Sequence, residues 1–364
     1  MDTLNAVDAH GLRYYLATVS ALDRYFKQDS NHNTYVVVEA SLIDLAKSLG
    51  ELEYPGLDSW DAAVRAGEGA VYFRCIEGDD ERSAESFSPL SFLYDPQRDA
   101  FLDREDAYYA IRSAELEPAT GVTEPLRTVS DAAVLAARYR YRIDPGALPT
   151  VRTSSELDPE FQRQLLIDIL TGPAPYDGLA LLHRSGFVDR FWSILAPMNS
   201  TDHSKEFHPE GNVWDHTLET MRYRKTPDLA VGMALLLHDV GKPYASPTRE
   251  HRFDAHANIG EKKAREFLRG LGFSEGFTER VAWLVRHHMM PGAIHKLPFS
   301  RSKHVMSSQD FPLLLELYRC DLSSTYQGPE NYYRACTAYR QFLKHYHNPF
   351  RTAEGKKVVQ TFVE

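Results

Sequence analysis

Ten of the fifteen histidines in this chain of 364 residues fall between His203 and His304. Five places in and just beyond that stretch combine residue types that could do chemistry. They are His216 in NVWDHTLETM, His238 and Asp239 in MALLLHDVGKP, His256 in FDAHANIGEKKA, His287 with His288 in LVRHHMMP, and Asp321 in LYRCDLSS. Imidazole nitrogens and carboxylate oxygens together suit a divalent transition metal. Such a metal lowers the pKa of a bound water and polarises a phosphoryl oxygen, so the chemistry in prospect is hydrolysis. The His238–Asp239 pair carries the most weight, because it closes an apolar run, and a carboxylate at the edge of a core is costly unless paired or metal-bound. A single histidine on a helix is ordinarily a surface or hydrogen-bonded core residue. That reading is kept for His10, His32, His183, His345 and His347, and also for His251, His295 and His304.

Each candidate ligand falls within or at the end of an expected helix, and helices in a bundle can aim ligands inward from facing sides. The first third of the chain reads differently, as mixed α and β. NTYVVVEASLIDLAKSLG is a β-branched run followed by helical spacing, and GAVYFRCIEGDDE reads as a strand closed by an acidic turn. Past residue 120 strand signals fade and helical periodicity takes over. Asp158-Pro159 marks a helix start and Gly172-Pro173 its close. The stretch 199–212 reads as a linker or functional loop, and the chain is then helical to about residue 348.

The length implies two or three domains. A net charge of −10 argues against wholesale electrostatic binding of nucleic acid. Cys75, Cys320 and Cys336 stand far apart with no CxxC pair, which fits a reducing cytoplasm. Neither a signal peptide nor a membrane span is read, and no membrane partner is expected.

Five segments, HPEGNVWDHTL, LLLHDVGKP, FDAHANIGEKKAREFLRGLGFS, VAWLVRHHM and CDLSS, resemble in order and spacing the HD-type metal-dependent phosphohydrolase domain. More closely, they resemble the HD domain that follows the nucleotidyltransferase head in bacterial CCA-adding and poly(A) polymerase-like enzymes. The resemblance implies a four-ligand set of His216, His238, Asp239 and Asp321. His256 and one of His287 and His288, with His288 favoured, match the additional histidines of sites that hold two metals, with Asp239 bridging. One or two divalent ions are thus implied, a transition metal such as Ni, Co, Mn or Fe, with Mg possible. Asp239 and Lys242 are the expected catalytic residues. Lys242, His208 and Arg286 are the expected substrate contacts.

The resemblance reaches into the N-terminal part and fails there at the charged motifs. YVVVEASLID stands where the nucleotidyltransferases have a strand, Gly-Gly and Val-Arg-Asp, yet it offers Glu39, Ala40 and Ile43. GLDSWDAAV stands where two carboxylates one residue apart would hold Mg²⁺, yet Asp58 and Asp61 are separated by Ser59-Trp60 and on a strand would face opposite ways. In the nucleotide-reading helices Asp131, Val134 and Phe161 replace arginines, while Arg138 and Arg163 remain. RYRYR (138–142) could stack on RNA, but on a helix its arginines diverge, which favours a solvated or structural role.

The expected architecture is an α+β head (a degenerate nucleotidyltransferase palm) over 1–118, a mostly α neck over 119–198, an all-α HD bundle over 199–348 and a tail over 349–364. The expected function is metal-dependent phosphohydrolysis of a nucleotide or RNA-end phosphoester, a phosphomonoester or 2′,3′-cyclic phosphate. The rival readings are a non-catalytic tRNA- or RNA-binding protein and a working tRNA nucleotidyltransferase.

Overall fold

The β-branched run Thr34–Val38 forms an inner strand of a mixed six-stranded sheet in the N-terminal unit. The computed structural model describes residues 2–28, 32–77, 85–103, 105–119, 124–152, 155–202, 211–245, 255–346 and 348–351. His208, most of the expected linker over 199–212, the acidic turn after residue 77 and the tail beyond Arg351 lie outside the described residues.

The sheet order is β3-β4-β2-β1-β5-β6, with β1 Tyr14–Ala17, β2 Thr34–Val38, β3 Ala62–Ala66, β4 Gly69–Cys75, β5 Leu93–Asp95 and β6 Ala100–Leu102. Only β2 and β4 run parallel; the other pairs are antiparallel. Alternation along β2 sends Val36 and Val38 to one face, where Val7, Leu45 and Phe73 cover them, and Val37 to the other with Tyr15 and Leu93. Helices α1 Asp2–Ala9, α2 Thr18–Phe26, α3 Leu42–Leu49 and α4 Ala107–Arg112 accompany the sheet. Ser41 caps α3 by accepting from the Asp44 amide.

Helices α5 Pro125–Tyr139, α6 Pro159–Leu170, α7 Pro175–Arg184 and α8 Phe187–Phe191 follow. Asp158 caps α6 by accepting from the Glu160 amide at 2.7 Å, as its position before a proline predicts. Gly178 lets α7 lie directly on α5, since a Cβ there would stand 2.4 Å from the Ala133 carbonyl oxygen. Head and neck segments together make one compact unit, Met1–Phe191, and Trp192–Glu364 makes a second.

In the second unit the helices are α9 Val213–Arg222, α10 Leu229–Leu237, α11 His256–Gly270, α12 Glu275–His287, α13 Met290–Ala293, α14 Phe299–Met306, α15 Phe311–Ser323 and α16 Glu330–His345. Every residue of α10 is buried, because α9, α12 and α15 all pack against it. A helix apolar all round belongs at the centre of a bundle. Its start is fixed by Asp228, which accepts from the Val231 amide at 2.9 Å. None of the described helices is long and apolar enough to cross a membrane.

Candidate metal centre

The end of α10 is where the polar groups converge. His238 closes the helix in helical geometry, and Asp239 follows with the chain still turning. His216 comes from α9, His256 from the first position of α11, His288 from the end of α12 and Asp321 from α15. His216, His238, Asp239 and His288 are all but fully buried. Gly241 makes the approach of α11 possible. A Cβ on it would stand 2.0 Å from the His256 carbonyl oxygen and 2.6 Å from the Gly260 amide nitrogen. Ala255, in left-handed conformation at φ 64°, then turns the chain into α11.

Two groups of ligand-type atoms result, His216 with His238 and Asp321, and Asp239 with His256 and His288, each within 4.8 Å. Asp239 faces both. Its Oδ2 lies 3.2 Å from His238 Nε2 and 3.8 Å from His216 Nε2. Its Oδ1 lies 3.7 Å from His256 Nε2 and 3.8 Å from His288 Nε2. His216 Nε2 meets Asp321 Oδ1 at 3.1 Å, and the Nε2 atoms of His256 and His288 stand 3.2 Å apart.

Ring orientation is set from behind. His238 Nδ1 donates to the Leu235 carbonyl at 2.8 Å and His288 Nδ1 to the Val285 carbonyl at 2.7 Å. With the proton on Nδ1, each Nε2 keeps a lone pair directed into the centre. Ser324 Oγ donates to the Asp321 carbonyl at 2.7 Å and lies 3.3 Å from His216 Nδ1, able to accept from it. Burial pushes the His288 imidazole down to about 4, which keeps it neutral. Burial works against the Asp321 carboxylate, but the hydrogen bond to His216 and the nearby His238 hold it below the usual range.

These residues fit a divalent metal. His238 Nε2 is fully buried and makes no hydrogen bond, an orphan that a protein interior does not ordinarily tolerate without a ligand. A set of four imidazoles and two carboxylates is the mixed N/O chemistry of transition-metal sites.

The other expected site residues fall nearby or elsewhere. Lys242, in the turn after α10, points its Nζ at Asp239 Oδ2, 2.6 Å away. His287 turns from the centre: its Nδ1 donates to the Trp283 carbonyl, and its ring lies against Trp283 and near His304. Arg286 is 3.5 Å from Glu261 of α11, on the flank of the helix pair. Gly260 and Ser324 carry no signal in the sequence. The LLLHDVGKP run displays Gly241, but only the tertiary approach of α11 gives it a reason.

Residues 213–316 match the model of the HD domain. The chain carries an HD domain. Five of the ligand-type residues, His216, His238, Asp239, His256 and His288, lie within the match, and Asp321 lies beyond it. The chain is also homologous to CCA-adding enzymes and tRNA nucleotidyltransferases. It is 29% identical over 253 residues to a CC-adding tRNA nucleotidyltransferase of Thermus thermophilus, which covers 66% of this chain and 54% of the relative. It is 27% identical over 237 residues to the multifunctional CCA protein of Xanthomonas campestris, covering 62% and 54%. The chain thus spans about half the length of the curated relatives it matches. The fold resembles that of the Bacillus stearothermophilus CCA-adding enzyme solved with CTP, with a TM-score of 0.51 at 13% identity over 94% of this chain and 81% of that one. The α+β head, the helices after it and the helical HD-domain unit are therefore the architecture.

In the head, most residues at the charged motifs are engaged by neighbouring groups of the fold. Glu39 accepts from the Tyr15 hydroxyl at 2.8 Å. Asp61 accepts from the Cys75 amide at 2.7 Å, while Asp58 sits in an exposed turn. Neither aspartate lies on a strand, since β3 begins at Ala62; the strand geometry expected for that pair is corrected accordingly. Arg138 is buried, with Nε 3.2 Å from Asp23 Oδ1 and Nη1 2.9 Å from Thr171 Oγ1. Arg163 pairs with Glu160. The RYRYR stretch straddles the end of α5: Arg140 is left-handed at φ 59°, and it and Arg142 are exposed.

Proposed function

We propose that the HD domain is a metal-dependent phosphohydrolase acting on a nucleotide or RNA-end phosphoester, a phosphomonoester or a 2′,3′-cyclic phosphate. The observation that carries this reading is Asp239, whose two carboxylate oxygens face two separate groups of imidazoles. His216, His238 and Asp321 would hold one ion, His256 and His288 a second, and Asp239 would bridge. A transition metal such as Ni, Co, Mn or Fe suits the imidazoles better than Mg. Metal held there supplies a water of lowered pKa and polarises a phosphoryl oxygen.

The chain's own residues do the rest. The buried rings, each fixed through Nδ1, hold their lone pairs in place at no further cost in ordering. Lys242 presents an ammonium to a phosphate oxygen as a point charge. His208 and Arg286 remain proposed substrate contacts, and the scheme of head 1–118, neck 119–198 and HD bundle 199–348 is proposed with them. Cytoplasmic location accords with the three separate cysteines. The test is turnover of 2′,3′-cyclic AMP and of p-nitrophenyl phosphate with Ni²⁺, Co²⁺, Mn²⁺ or Mg²⁺. Absence of turnover with every metal, in protein shown to contain metal, defeats the proposal.

A second reading, nucleotide addition to tRNA by the head, is favoured by the names of the relatives, which are tRNA nucleotidyltransferases and CCA proteins. tRNA is accordingly the proposed macromolecular partner under either reading. Incorporation of labelled CTP or ATP onto a tRNA end decides for the second, and the missing pair of carboxylates one residue apart leads us to expect none.

A further inference from the structure

The head contains a cavity of about 250 Å³ between the sheet and helices α5 and α6. Its walls are aromatic and acidic. Trp60 and Tyr35 line it with ring centroids 5.0 Å apart, and Phe161 of α6 joins them. Asp58, Glu124 and Asp158 stand exposed around it, while Glu85, Asp131 and Asp168 lie deeper.

The lining holds two cations, Arg74 and Arg127, and Glu85 engages both. Arg74 Nη2 is 3.6 Å from Glu85 Oε1, and Arg127 donates to Glu85 Oε2. Asp168 is likewise engaged, by the Tyr35 hydroxyl and by Asn33 Nδ2 at 2.8 Å. Two polar oxygens at the wall make no hydrogen bond, although the Asp131 carboxylate is paired with Arg127. Ser130 is 3% exposed and its Oγ makes no hydrogen bond. Asp131 Oδ2 makes none either, with Arg127 Nε 3.6 Å away.

We propose that this cavity binds a small organic cation, an ammonium or guanidinium on a flat apolar body, with Asp131 and Ser130 as its polar contacts. An excess of carboxylates focuses a negative potential into the cleft, which attracts a cation and repels phosphate. Burying a polar group without a partner costs free energy, which a donor bound between Ser130 Oγ and Asp131 Oδ2 would recover. Arg74 already stands over the Trp60 ring, 5.0 Å from its centroid, so the aromatic wall offers the flat body of the ligand apolar contact. The proposal does not depend on hydrolysis by the HD domain.

The experiment is calorimetric titration of the full chain with benzylammonium and with agmatine, and with benzyl alcohol as the neutral counterpart. Saturable binding of one cation per chain is expected at up to millimolar concentration, with benzyl alcohol at least about tenfold weaker, a difference of about 1.4 kcal/mol. Asp131→Asn, which keeps the shape, should weaken the cations about tenfold or more. Ser130→Ala, which removes a buried hydroxyl without a hydrogen bond, should weaken them severalfold while thermal stability is kept or raised. Failure of both cations to saturate, equal binding of benzyl alcohol, or undiminished binding by both variants overturns the proposal.

Discussion

The two units treat buried charge in opposite ways. In the head, Arg138 sits against Asp23, Arg163 against Glu160 and Arg127 against Glu85, so guanidiniums and carboxylates satisfy one another. In the HD domain, His238 and His288 spend their Nδ1 protons on backbone carbonyls and leave their Nε2 atoms aimed at a shared space. Buried polar groups that complete one another are structure; those that converge incomplete await a ligand. The head thus keeps the fold of its relatives while its charges serve that fold, and fold alone does not assign an activity.

The comparison breaks most visibly at Asp239. Asp239→Asn keeps the shape of the side chain but weakens it as the bridge between the two groups. Hydrolysis and metal content should fall by more than the roughly 10–100-fold that removal of a supporting group costs. The fold should stand, because α10 is held by its wholly apolar surface. Metal analysis beside circular dichroism measures both. Full metal content and rate in this variant would mean that the centre lies elsewhere.

Arg138→Met is the matching test in the head. It strands Asp23, which is 1% exposed, without its cation, and breaking a buried pair costs about 3–5 kcal/mol. Urea denaturation should show that loss, while hydrolysis measured below the transition stays near wild type. A cost under about 1 kcal/mol would show that the head's charges are not tied into its fold in the way argued.

Ser324→Ala sharpens the comparison from behind the proposed metal ligands. Without Oγ, His216 loses a hydrogen-bond partner at Nδ1, and its ring orientation and tautomer are held less firmly. Metal affinity should drop by about 10–100-fold, with no large loss of stability. Competition with a chelator reads the affinity, and unchanged affinity removes Ser324 from the site.

Much of the centre was legible because its signal is local. An apolar run closing on His238 and Asp239 states its own conflict with burial, and helical spacing separates His287 from His288 by about 100°. Ser324 and Gly241 were harder to see. A serine after CDLS is unremarkable until Asp321 and His216 meet, and the need for glycine at 241 arises only from a helix 15 residues further on. In the head, β2, α3 and β4 follow from the pattern of residues. The short strand Tyr14–Ala17 and the helix after it do not, since four residues are too few for alternation to declare itself. The cavity could not be read at all, because its wall is assembled from segments scattered between Thr18 and Asp168.

A pH-dependent effect is expected at Asp131, where the head comes nearest to the incomplete chemistry of the HD domain. Burial pushes its carboxyl up to about 7, against the attraction of Arg127 and with help from the charge of Glu85. In the unfolded chain the same group titrates near the usual aspartate value of about 3.9. Between about pH 4 and pH 7, therefore, the unfolded chain has released a proton that the folded unit still holds. This contribution to stability is complete below pH 4 and falls as the pH rises to about 7. Asparagine does not titrate, so Asp131→Asn should remove that part of the decline. The variant should gain on the wild type steadily from pH 4 to pH 7, by about 1.4 kcal/mol per pH unit and so on the order of ten degrees in Tm, and the gap should then stay constant to pH 8. Thermal melts of the N-terminal unit's transition across that range measure it. Parallel curves for the two proteins would mean that Asp131 is ionised and already satisfied, and the contrast between the two units would then extend to every carboxylate of the head.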